Sequence, residues 1–171
     1  MSTYTIAHTW DGEPIDGRES VALRLEQTPA GDWEIVIDAP YHDDLPPLAA
    51  AGQFWALWEY EVVEVFFAGA NGSYLEVELG PHGHHLLLLL DAPRNIVSRE
   101  LPLEYTATIR EKRWTGRAVI STSVLPGGVA RLNCFAIHGR DEHRRYLAWS
   151  PLPGSKPDFH QPSRFPPLPG C

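Results

Sequence analysis

Apolar residues along this chain recur at every second position rather than every third or fourth, and that period sets the class of structure to expect. Tyr4, Ile6, His8 and Trp10 would share one face of an opening strand, and Val21, Leu23 and Leu25 one face of the next. Pro29-Ala30-Gly31-Asp32 is a turn signal ahead of Trp33-Glu34-Ile35-Val36-Ile37, so residues 20–39 read as a hairpin. A proline-rich loop over 41–52 follows. Segments 61–67, 73–79 and 84–90 are parted by Gly69-Ala70-Asn71-Gly72 and by Gly80-Pro81-His82-Gly83, which predicts a three-stranded meander at a sheet centre. Strands over 105–111, 115–121, 132–139 and 145–150 continue the pattern, with Pro126-Gly127-Gly128 turning the chain. About ten short strands and no long amphipathic helix predict an all-β fold, a two-sheet antiparallel β-sandwich with less than roughly a tenth of its residues in helix.

Length and composition narrow this further. With 171 residues, 43% of them hydrophobic, the chain can build one substantial core, and no internal repeat or low-complexity linker divides it. One domain over 1–171 is expected. The last 21 residues hold seven of the 16 prolines, so from about 151 the chain cannot continue as interior strands. It is expected to wrap the sandwich as extended chain anchored by Phe159 and Phe165.

Charge removes whole classes of partner. Fourteen basic against 22 acidic residues leave a net charge of −8, and no Lys/Arg cluster offers a track for phosphates, so no nucleic-acid partner is expected. The longest apolar run, Leu86 to Leu90, falls far short of the roughly 20 residues that span a bilayer, and the N-terminus has no apolar signal region. No membrane partner and a cytoplasmic location are expected. Cys134 and Cys171 form neither a disulfide framework nor a zinc spacing, and Asn71-Gly72-Ser73 reads as a hairpin turn.

The candidate chemistry lies where polar residues interrupt apolar strands. Both faces of Val62-Val63-Glu64-Val65-Phe66 are apolar, so Glu64 is expected to be buried against a cationic or hydroxyl partner. On the next strand Leu75, Val77 and Leu79 take one face and leave Tyr74, Glu76 and Glu78 on the other. Alternation over 132–138 sets Asn133, Phe135 and Ile137 opposite Cys134, Ala136 and His138, and His138 is expected to meet the carboxylates across the sheet. The plain alternative is a structural polar network with no room for a ligand.

Phe54, Trp55, Trp58 and Tyr60 crowd the approach to the glutamate strand, and Trp149 ends a later one. Flat rings suit the faces of pyranoses, although tryptophan more often fills cores. Arg94, Arg113 and Arg145 supply fork-shaped donors. His82, His84 and His85 look like a metal cluster, but adjacent strand residues point oppositely and only His82 and His84 converge, so no metal is expected. No nucleophile elbow, phosphate loop or dinucleotide fingerprint is present, and no cofactor is expected.

Leu57-Trp58-Glu59-Tyr60-Glu61-Val62-Val63-Glu64-Val65-Phe66-Phe67, Tyr74-Leu75-Glu76-Val77-Glu78-Leu79, Pro81-His82-Gly83, Phe135-Ala136-Ile137-His138-Gly139 and Pro157-Asp158-Phe159-His160 together resemble an uncharacterised protein family of bacteria and animals. That family is similar in turn to the family 9 carbohydrate-binding modules and their DOMON relatives. The resemblance implies a jelly-roll-like sandwich and a sugar held between aromatic rings with charged side chains on its hydroxyls. Trp58, Glu64, Glu76, Arg94 and His138 are the positions that would play those parts. Haem, which other DOMON relatives hold through Met and His, is disfavoured because the one methionine is Met1. Two readings result. The first is a stand-alone module binding a small molecule, a sugar or polyol, and the second is a small cofactor-independent enzyme using Glu64, Glu76 and His138 for general acid/base catalysis. Ligand identity and oligomeric state are left open.

Overall fold

The computed structural model describes residues 1–168. Thirteen strands appear among them: β1 (Ser2–Ile6), β2 (His8–Thr9), β3 (Val21–Gln27), β4 (Trp33–Pro40), β5 (Gly52–Gln53), β6 (Val62–Gly69), β7 (Tyr74–Leu79), β8 (His84–Ala92), β9 (Asn95–Arg99), β10 (Glu104–Arg110), β11 (Arg113–Ile120), β12 (Val129–His138) and β13 (Arg145–Ala148). The helical content of the described residues is four single turns of 3-10 helix. A five-stranded sheet in the order β1-β3-β4-β11-β10 packs on an eight-stranded sheet in which β2-β13-β12-β6-β7-β8-β5 run side by side and β9 extends β8. Pairing is antiparallel except for the two-residue contact of β5 with β8. This is the two-sheet antiparallel sandwich that the period-two pattern predicts.

The hairpin β3–β4 and the meander β6–β7–β8 fall where the turn signals place them. One strand does not. Tyr4, Ile6, His8 and Trp10 do not lie on a single strand: β1 pairs with β3 in the smaller sheet, while His8 pairs with Ala148 in the larger one. The chain changes sheets at Ala7, so Tyr4 and Ile6 enter the core between the sheets and Trp10 packs on the far face of the larger sheet.

Two cores result, one on each face of the large sheet. Val63, Val65 and Phe67 of β6 and Leu75, Val77 and Leu79 of β7 face the small sheet, where they meet Leu23, Ile35, Ile37 and Trp114. Val62, Phe66, Ala68, Tyr74, Leu86, Leu88 and Leu90 face outward, and there they are covered by Leu57 and by Leu152, Phe159 and Phe165 of the proline-rich segment. Phe159 stacks on Phe135 with ring centroids 3.9 Å apart, and Phe165 is wholly buried against Phe66 and Phe135. The segment is tied down by backbone as well. The amide of Leu132 donates to the carbonyl of Pro166, and Arg131 donates to the carbonyl of Phe165. Cys134 is a buried free thiol between the sheets, while Cys171 lies outside the described residues.

Because the outer core depends on this cover, Phe165→Ala should cost about 3–5 kcal/mol, the range for emptying a buried aromatic site. At about 2–4 °C per kcal/mol for a chain of this size, the melting temperature should fall by roughly 6–20 °C. Leu48→Ala, at a fully exposed position, should leave the same melting curve unmoved.

Candidate functional site

The outer face of the meander carries three acids. Register pairs Glu64 of β6 directly with Glu78 of β7 and Phe66 with Glu76, and alternation turns all four side chains away from the small sheet. Leu86 and Leu88 lie opposite Glu78 and Glu76 on β8, and Phe135 lies opposite Glu64 on β12. Like charges directly opposed across a ladder repel, and here the neighbours offer no water-like screening. Glu64, Glu76 and Glu78 are each at most 3% exposed.

No side chain of another described residue donates to the three, and the backbone amide of Trp58 approaches Glu78 without reaching hydrogen-bond geometry. Oε2 of Glu76 and both oxygens of Glu78 are buried without a partner. Glu64 is buried as expected, but the expected partner is missing, and the cation that acts on it, Arg144, does so through space. Burial therefore dominates. It pushes Glu76 up to about 8, with Arg94 opposing. It holds Glu64 well above the carboxylate range with help from the charge of Glu76, and Glu78 likewise with help from both. Each acid of the row therefore keeps its proton to higher pH than an exposed carboxyl does.

Over this row opens a cavity of about 390 Å³, inside the roughly 300–1,000 Å³ of small-molecule sites. Glu64, Glu76 and Phe66 form its floor, and Trp55, Trp58 and Tyr146 its aromatic side. The two indoles stand nearly perpendicular, at 81° with centroids 5.2 Å apart. Trp58 sits in the 3-10 turn Leu57–Glu59, whose buried Leu57 anchors the loop. Arg144 clamps that turn by donating to the carbonyls of Trp58 and Glu59 while lying over the ring of Tyr146. Arg99 covers one face of Trp55.

The opposite wall is Arg94, Asp158 and His160. Arg94 Nη2 donates to Asp158 Oδ1 at 2.8 Å, and the same oxygen accepts from the amide of His160. Tyr74 links this wall to the floor. Its hydroxyl accepts from the amide of Arg94 and shares a hydrogen bond with His160 Nδ1 at 2.7 Å. Burial and Arg94 hold His160 down to about 4, which keeps it neutral.

Trp58, Glu64, Glu76 and Arg94 are thus brought together, as is Trp55. His138 is not. It follows Cys134 and Ala136 onto the face toward the small sheet, whereas Phe135 and Ile137 share the face of Glu64, so strand alternation carries its ring to the wrong side. There its Nε2 meets Glu19 Oε1 at 2.8 Å, Arg145 holds the same carboxylate through two nitrogens, and the ring of His42 stacks on it at 3.5 Å. Gly139 closes the strand at φ 75°, where a Cβ would strike the carbonyl of His143. Arg113 pairs with Asp38 on the small sheet, and Trp149 packs against Tyr4 between the sheets. His82 reaches the hydroxyl of Tyr41 and His84 the carbonyl of Ala49.

Tyr146, Asp158 and His160 are the site residues that sequence reasoning did not place. The pairing of Ile137 with Tyr146 fixes the latter's face, so parity from the Phe135–Ile137 stretch contains that signal. Asp158 and His160 lie in an extended segment whose path no periodicity encodes.

No protein-family model matches the chain. It is 45% identical to the human UPF0462 protein C4orf33, over 92% of this chain and 82% of that protein. The chain belongs to the UPF0462 family. A mouse homologue of C4orf33 is 43% identical over 96% of this chain and 90% of its own, and a Danio rerio homologue 37% identical over 95% and 86%. Among solved structures, one described as a "putative carbohydrate-binding protein" from Bacteroides uniformis superposes with a TM-score of 0.74 over 96% of this chain and 84% of that one, at 15% identity. At that identity the likeness establishes the sandwich fold of this UPF0462 chain.

The buried acids make stability depend on pH with a definite sign. Glu76, pushed up to about 8, and Glu61, pushed up to about 7 by burial, keep protons in the folded chain that the unfolded chain has lost. Their contribution is complete below the unfolded carboxyl pKa and is lost as pH rises toward those values. His42 and His160, both held down to about 4, give the opposite slope up to their unfolded pKa of about 6.5. The melting temperature should therefore fall between about pH 6.5 and pH 8, where the acids act alone. Glu76→Gln should flatten that fall and exceed the wild type at pH 8.5 by at least about 1 kcal/mol, a pKa unit being worth about 1.4. A wild-type melting temperature that rises across this window would contradict the assignment.

Proposed function

We propose that this UPF0462 chain is a binding module for a small polyhydroxylated molecule, a sugar or a similar polyol. One observation carries the reading: a pocket of small-molecule size in which carboxyls on strands and on an anchored extended segment, and a guanidinium on the β8–β9 turn, face two perpendicular indoles. A pyranose presents an apolar C–H face and an equatorial belt of hydroxyls, so rings and fixed polar groups at right angles to them suit it. Trp58 and Trp55 would take the apolar face, and Glu64, Glu76 and Arg94 the hydroxyls. The description of the Bacteroides uniformis neighbour as carbohydrate-binding supports the same reading, as does the relation to the family 9 modules that the strand motifs suggest. Protonated, Glu76 donates to a hydroxyl; ionised, it accepts from one.

A second reading has one observation in its favour. Glu76, pushed up to about 8 beside a second buried carboxyl, is poised to exchange a proton near neutral pH, as a general acid or base must be. His138 is no part of that chemistry, since its ring lies across the sheet with Glu19. Binding is placed first because no hydrogen bond from a described residue aims Glu64 or Glu76 at a reacting atom.

Calorimetric titration against mono- and disaccharides tests both. At least one sugar should bind saturably without turnover, and Trp58→Ala and Glu64→Gln should each weaken it by at least about tenfold, equal to about 1.4 kcal/mol. His138→Gln, with its side chain outside the pocket, should leave affinity unchanged. Product appearing in the titration mixture would move the catalytic reading ahead, and an inert panel would end the sugar reading.

A further inference from the structure

The polar groups of the pocket are unbalanced in a way that a neutral polyol does not exploit. Its acidic side chains are Glu64, Glu76 and Asp158, with Glu78 directly behind Glu64 in the ladder. Against them stand one guanidinium, Arg94, already engaged by Asp158, and one imidazole, His160, whose Nδ1 is taken by Tyr74. Arg144 acts on Glu64 from a distance, but its nitrogens are committed to the carbonyls of Trp58, Glu59 and Gly139. No amide side chain lines the cavity, and its neutral polar groups are the phenol of Tyr146, the indoles of Trp55 and Trp58 and the imidazole of His160. Glu76 lines it at 3% exposure with Oε2 buried and unpartnered, and no described residue donates to Glu64.

A buried carboxyl is tolerated in one of two ways, by keeping its proton or by gaining a cation. The chain's own groups supply the first. An ammonium has three donors, no acceptor and a full positive charge, so one ammonium can satisfy and neutralise both carboxylates, whereas a sugar hydroxyl brings one donor and leaves their charge unmatched. The aromatic side favours the same charge, because indole faces attract cations, as Arg99 over Trp55 illustrates within the chain itself. We infer that the ligand of this pocket carries a protonated primary amine, seated between Glu64 and Glu76, on a six-membered ring held by Trp55 and Trp58. The inference rests on the reading of the cavity as a small-molecule site and narrows its ligand from neutral sugars to amine-bearing rings, of which amino sugars and alicyclic amines are the two sources.

Matched pairs separate these possibilities. In phosphate buffer at pH 7, glucosamine and glucose form one pair and cyclohexylamine and cyclohexanol the other, with N-acetylglucosamine as the capped amine. At least one amine should bind ten times or more tightly than its hydroxyl twin, and acetylation should abolish the glucosamine advantage. The wild-type chain suffices for this, and a Glu64→Gln, Glu76→Gln double variant that still melts cooperatively should bind both twins alike. If neither amine outbinds its hydroxyl twin and glucose binds as tightly as glucosamine, the inference is overturned and the sugar reading stands. If cyclohexylamine binds and neither sugar does, the inference stands and the sugar reading fails. If no amine binds, the inference is overturned, and a sugar panel that is also inert removes the binding reading with it.

Discussion

A sheet that is apolar on both faces must be covered twice. For β6, β7 and β8 the first cover is the five-stranded sheet, and it is complete: every inward residue of β6 and β7 is buried. The second cover has no sheet to draw on. It is assembled from the turn bearing Leu57 and from the extended segment bearing Leu152, Phe159 and Phe165. Proline suits such a segment, because a chain lying across strands rather than beside them needs few amide donors, and a fixed φ reduces the entropy lost on laying it down. Patchwork of this kind leaves a gap, and the gap is the cavity over Glu64 and Glu76.

That gap lies over the most costly residues in the outer core. Leucine or glutamine at position 76 or 78 would satisfy the packing of the meander without an unpartnered carboxyl, so stability alone gives no reason for glutamate there. Local rules that fail where nothing in the fold compensates are expected at functional or strained positions, and the binding reading proposed above uses these. Contrast the other titratable cluster, Glu19, His42, His138 and Arg145. Its carboxylate accepts from both a guanidinium and an imidazole, and its geometry is closed. Burial lowers the pKa of His138 while Glu19 raises it, which is the behaviour of a satisfied structural network rather than of a site awaiting a partner.

How far the sequence reveals this depends on what kind of order each part has. The meander, the hairpin β3–β4 and the outward placement of Glu64 and Glu76 are written in a period of two, and period is local. Trp58 and Arg94 join them because each lies a few residues from a strand of that meander. His138 fails at the limit of that rule: alternation separates the face of Cys134 and Ala136 from that of Phe135, and the register of Phe135 with Glu64 decides which face holds the glutamate. Register, unlike period, is a property of two strands, and a single strand's pattern does not contain it. The switch of sheets at Ala7 is hidden similarly, since alternation continues unbroken through Ile6 and His8 while the pairing partner changes. β9 goes unread because it is a short edge strand with most of its residues exposed, so it has no buried face to produce a pattern.

Because the second cover forms one wall of the pocket, cover and site share their energetics. Phe159 buries its ring on Phe135, and its neighbours in sequence, Asp158 and His160, are thereby delivered to Arg94 and Tyr74. The Arg94–Asp158 pair is half exposed and by itself contributes little. Its importance is positional: it closes the wall only if the aromatic anchor is seated. Conversely, a ligand bridging Glu76 to that wall would bind the seated state and not the open one, and so would add its binding free energy to the stability of the cover.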